Sequence, residues 1–178
     1  MDNVQEFIEH VKAECRAAGI KLKFKKVKYL VLSKKIKCSG YFDETGKELV
    51  IATNNLQWLE VLAHEYGHLT QWEDNCEEWK NLGDSLDKID RWLAGEQVRG
   101  IKKALARARD LELDNEKRTV KIIKKWKLPV NVEEYIQKAN AYVSFYNWIY
   151  YTRRWCSPKN SPIGNVKVYG QMPKSFRM

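Results

Sequence analysis

The stretch Leu62-Ala63-His64-Glu65-Tyr66-Gly67-His68-Leu69 constrains the rest of the chain more than any other. It sets an H-E-x-x-H pattern in an apolar run. At about 100° of helical rotation per residue, positions four apart nearly eclipse, so His64 and His68 project from one face and can share a metal ion, with Glu65 beside them. Trp58, Leu59, Leu62, Ala63, Tyr66 and Leu69 form the core stripe of that helix, with Asn54 or Asn55 as its cap and the two histidines at the edge of the stripe. Two neutral imidazoles at i and i+4 suit Zn2+, and the adjacent carboxylate can take a proton from water at the metal.

The flanking pattern predicts an α+β chain. Asn3 and Glu6 mark a helix start, and Val4, Phe7, Ile8, Val11, Cys15 and Ala18 repeat at helical spacing until Gly19. His10 lies off that stripe and reads as a surface residue. From Ile20 to Leu32 apolar residues alternate with lysines as on a half-buried strand, with a parity slip that predicts a break at Lys25-Lys26. Ser39 to Glu44 and Glu48 to Thr53 flank a Gly46-containing hairpin turn, giving a small antiparallel or mixed sheet of about three strands. Residues 73–95 read as an acidic insertion with one short helix around Ser85 to Leu93. A long helix follows from Glu96 to Lys127, and another from Val132 to about Arg153, capped by Asn131. The tail, 157–178, reads as irregular, with one short strand at Val166 to Tyr169.

At 178 residues the chain is of a size to fold as a single domain, 1–178, around one core without disulfides or structural metal, so a metal here would serve chemistry. Cys15, Cys38, Cys76 and Cys156 have no C-x-x-C spacing and read as reduced thiols. No run of about 18 apolar residues and no leader pattern occurs, which predicts a cytoplasmic protein without a membrane partner. The net charge of +9 is unevenly spread: 21–37 carries eight Lys and no acid, whereas 60–90 carries nine acids against two Lys. The basic segments 21–37 and 99–127 could meet nucleic acid; a solvated basic face is the plainer alternative.

The long helix supplies a second argument for a metal. Ile101, Leu105, Ala108, Thr119, Ile123 and Trp126 project as one inward stripe, joined by Val98, and Glu112 falls at its centre. Glu116 lies close by, while Asp110 and Asp114 project to the solvated side. A carboxylate amid buried apolar residues is costly unless a cation or several donors meet it, which makes Glu112 the candidate third ligand.

The pairing of LAHEYGHLTQW, residues 62–72, with DLELDNEKR, residues 110–118, resembles the gluzincin zinc metallopeptidases, and the small size, N-terminal helix, short sheet and helical C-terminal half resemble their compact single-domain members, IrrE/ImmA-type and phage-encoded forms included. That resemblance implies a zincin-like fold, His64, His68 and Glu112 as zinc ligands, and Glu65 as general base in hydrolysis of a protein or peptide substrate. It implies Glu116 as hydrogen-bond partner of His64, in a position where the family pattern often has Asp. An oxyanion donor is also implied, with Tyr146 and Tyr150 as candidates beside their plainer role as core aromatics. Such enzymes commonly hold substrate as an added strand, and the Tyr41 to Thr53 hairpin is the candidate edge. The competing expectation is a nucleic-acid-associated module on a zincin scaffold with structural or vestigial zinc.

Overall fold

The computed structural model describes residues 2–32, 37–156 and 161–176. Residues 33–36 of the basic segment 21–37, and 157–160, 177 and 178 of the tail, lie outside the described residues. The architecture is α+β: α1 (Asn3–Ala17), β1 (Lys21–Lys25), β2 (Leu30–Val31), β3 (Lys37–Cys38), β4 (Gly40–Asp43), β5 (Glu48–Ala52), α2 (Trp58–Glu73), α3 (Glu77–Leu82), α4 (Ser85–Leu93), α5 (Ile101–Lys125), α6 (Val132–Thr152) and α7 (Val166–Tyr169). The chain divides into two compact units, Met1–Asp74 with Arg118–Val130, and Asn75–Lys117 with Asn131–Met178.

In the first unit, α1 starts one residue earlier than expected, because Asp2 rather than Asn3 is the cap and its carboxylate accepts from Val4 N–H. The helix closes at Gly19, whose φ of +71° is cheap only for glycine. The predicted break at Lys25-Lys26 separates β1 from β2. β1 joins a mixed three-stranded sheet of order β1-β5-β4, parallel to β5, while β4 and β5 form the expected antiparallel hairpin. β2 instead pairs with β3. β5 is the central strand, and Leu49, Val50, Ile51 and Ala52 on it are all buried. α2 lies against β4 and β5.

His10 is not a plain surface histidine. Its Nε2 lies 2.9 Å from the Tyr66 hydroxyl and its ring 4.9 Å from that of Trp126, in a cluster that also holds Phe7. Three residues after Phe7 on α1, an imidazole can fill an aromatic gap while keeping one polar bond, which periodicity alone does not reveal.

The core of the second unit unites Leu82, Ile89, Ala104, Leu105, Ala108, Leu111, Tyr146 and Ile149. Residues 73–95 contain two helices after α2, α3 as well as the expected α4. α5 begins only at Ile101, so Val98 precedes it. α6 is capped as expected by Asn131, whose side chain accepts from Glu134 N–H. The predicted strand at Val166 to Tyr169 is a helical turn, because the Asn165 side chain accepts from Lys167 N–H and caps it. Among the described residues no helix is long and apolar enough to cross a membrane.

Candidate metal centre

Burial of Leu62, Ala63, Tyr66 and Leu69 fixes the rotation of α2 about its axis. His64 and His68 thereby share one flank, both half-buried, with ring centroids 4.8 Å apart and planes at 88°. The side chain of Asn55 accepts from Gln57 N–H in the turn before the helix, while the cap position itself falls to Gln57, which makes no side-chain cap bond. His68 Nδ1 lies 2.8 Å from Oε1 of Gln71, a side chain with no solvent exposure. An amide oxygen can only accept, so Nδ1 donates and the Nε2 lone pair is left for a metal. Gln71 escaped the sequence reading, although its i+3 spacing from His68 puts both on one helix face.

Glu65 is 8% exposed and lies over the start of β4. A Cβ at Gly40 would stand 3.1 Å from Glu65 Cγ and 2.6 Å from Val61 Cγ1, so glycine is what lets the helix come this close to the strand. β4 is an outer strand of the sheet and β5 is interior; only the first half of the Tyr41 to Thr53 hairpin can therefore serve as an edge. Burial, reinforced by the Glu65 carboxylate, pushes the Cys38 thiol up to about 11, which keeps it neutral beside that carboxylate.

In the second unit, Glu112 on α5 is half-buried. The hydroxyls of Tyr142 and Tyr146 on α6 each stand 3.4 Å from its Oε1, and 3.4 Å from one another. Burial, and then the charge of Glu112, holds both phenols well above the usual tyrosine value, so both remain protonated donors. Tyr142 is a further residue that the sequence reading missed; its signal was the i,i+4 spacing to Tyr146. Tyr150 stacks on Trp92, at 6.3 Å and 8°. Glu116, 4% exposed, accepts from the Tyr135 hydroxyl at 2.5 Å. Asp114 is half-buried rather than solvated, and its carboxylate groups with Cys76 and Glu78.

His64 and His68 lie on α2 in the first unit and Glu112 lies on α5 in the second. Two imidazoles and one carboxylate match the donor set of a hydrolytic zinc site, and the Gln71 bond leaves the right nitrogen of His68 for it. Comparison of the chain with family models, with curated proteins and with solved structures finds no match.

Proposed function

We propose that this chain is a zinc-dependent peptidase built on a zincin-like scaffold, with His64, His68 and Glu112 as ligands and Glu65 as general base. The i,i+4 histidine pair on one flank of α2, with the His68 ring oriented by Gln71, carries the reading, and Glu112 joins it on the separate sequence argument that a carboxylate centred on an apolar stripe needs a cation. Bound Zn2+ supplies Lewis acidity, which acidifies water and polarises a carbonyl. Glu65 follows His64 directly on α2, so its carboxylate can accept the proton of the attacking water and pass it to the leaving amine. Tyr142 and Tyr146 are donors whose hydroxyls can meet the charge that develops on the carbonyl oxygen. An extended peptide laid along β4 would gain main-chain hydrogen bonds with little sequence preference, beside the strand position that Glu65 covers.

Metal content and proteolysis of an unfolded protein substrate test the proposal together. Wild type is expected to hold one zinc per chain and to cleave; His64→Ala and Glu112→Ala lose the metal, and Glu65→Gln keeps it but loses cleavage. Unchanged zinc in the ligand variants, or full activity in Glu65→Gln, sinks the assignment.

A further inference from the structure

We infer that the C-terminal end of α6, with the start of α5, forms a docking face for single-stranded nucleic acid. Trp148 is 65% exposed, Tyr151 80% and Trp155 42%. Single exposed aromatics are ordinary, but three within eight residues of one helix end form a patch that asks for a partner. Trp148 and Tyr151 are three apart on α6 and so share a face. Trp155 follows the helix and is steadied edge-on by Phe145, 5.7 Å away at 90°.

Cations lie near this helix end. Lys102 Nζ lies 4.8 Å from the centroid of Tyr150, whose ring in turn meets Tyr151 at 5.4 Å. Arg109 donates to Asn147, next to Trp148, at 3.2 Å. Arg154 is exposed between the helix end and Trp155. Carboxylates in this part of the fold are already engaged: Asp110 by Arg109 and Glu96 by Arg91, each at 2.8 Å. No acidic residue follows Glu134 anywhere in the sequence.

Charge complementarity selects the partner. An apolar protein surface would satisfy the rings and leave the cations, and a purely anionic surface would do the reverse. A nucleic-acid strand offers both phosphates and π faces. The exposed rings need unstacked bases, which a single strand presents and a duplex conceals. This differs from the expectation of phosphate contacts along the whole of 21–37 and 99–127, because it places the aromatic platform at the centre and retains only the first turns of α5. It does not depend on the zinc site.

The test uses the full chain and a fluorescein-labelled oligodeoxythymidine of about 20 nucleotides, with anisotropy followed across about 50–300 mM KCl. Wild type is expected to bind at low salt. Trp148→Ala with Tyr151→Ala should weaken binding at least about tenfold, while Trp148→Phe with Tyr151→Phe keeps most of it because a stacking face remains. Lys102→Gln and Arg154→Gln should each reduce the slope of log affinity against log salt by about 0.7. Glu65→Gln binds as wild type. Absence of binding at low salt, an Ala pair that binds as well as wild type, or equal competition by duplex DNA or by phosphatidylserine vesicles overturns the inference.

Discussion

The hydroxyl of Tyr146 donates across 3.4 Å to Oε1 of Glu112, and Tyr142, one turn earlier on α6, reaches the same oxygen at the same distance. Two donors on one carboxylate oxygen restrict the rotation of the side chain and favour the other oxygen as a metal ligand. If Glu112 binds zinc, Tyr142→Phe and Tyr146→Phe should each weaken zinc by about tenfold, and the pair by up to about 100-fold, as is typical when the partners of a ligand are removed. Competition against a chelator of known affinity measures this. Unchanged affinity with a fall of about 100-fold in kcat would instead assign the phenols to the oxyanion alone.

Gln71 makes the corresponding prediction for His68. It is wholly buried and its Oε1 accepts from Nδ1. Gln71→Leu removes that acceptor, frees the tautomer and leaves a buried imidazole N–H without its bond. Zinc affinity should fall about 10- to 100-fold, and stability by about 1–3 kcal/mol. Gln71→Glu keeps an acceptor and should retain much of the affinity. Equal zinc affinity in wild type and Gln71→Leu would show that the bond does not orient a ligand.

What could be read from the sequence and what could not divide along a physical line. The α2 histidines, the hairpin turn before β5, the Asn131 cap and the span of α6 depend on local periodicity or on a cap a few residues away, and all are present. His10 and Tyr142 depend on what lies across a helix, and no local pattern separates a polar residue with a distant partner from a solvated one; Gln71 differs, because its partner His68 is only three residues away on α2. The Val166 to Tyr169 error has another cause. Two valines and a tyrosine carry strand propensity, but the Asn165 side chain bonds Lys167 N–H and starts a helical turn. Asp114 shows that angular projection gives a direction and not an environment: on the side opposite the stripe Asp110 is exposed but Asp114 is half-buried. Glu112 stands out in the sequence because a carboxylate at the centre of an apolar stripe conflicts with its neighbours, and such a conflict points to a candidate site.

Gly40 links the sheet to the proposed base. A Cβ there meets Val61 Cγ1 at 2.6 Å and Glu65 Cγ at 3.1 Å, so Gly40→Ala must push α2 from β4 or turn the Val61 and Glu65 side chains. The expected cost is about 1–3 kcal/mol of stability. A shift in the acidic limb of the kcat/KM pH profile should accompany it, since the surroundings of Glu65 change. Gly40→Ala with wild-type stability and an unmoved profile would mean that the contact constrains nothing.

The three strands of the larger sheet are tied at Glu48, which receives Lys23 from β1 and the Tyr41 hydroxyl from β4, the latter at 2.5 Å. The Lys23 bond, then the Tyr41 bond, holds Glu48 below its ordinary 4.5. Tyr41 is pushed up to about 12 from 10, first by its bond to Glu48 and then by burial. A lowered carboxyl stabilises the fold fully above its unfolded value and loses that contribution as pH falls through the folded one. A raised phenol stabilises below its unfolded value and loses the contribution as pH rises toward the folded one. The ladder should therefore act in full between about pH 4.5 and 10, fading below the first value and, through Tyr41, between 10 and about 12. Urea midpoints across that range should show Glu48→Gln with a flatter acid limb than wild type, and Tyr41→Phe with a flatter alkaline limb. The acid-limb difference should shrink in high salt as the exposed Lys23 charge is screened. Parallel limbs in all three proteins would remove Glu48 as the tie between the strands.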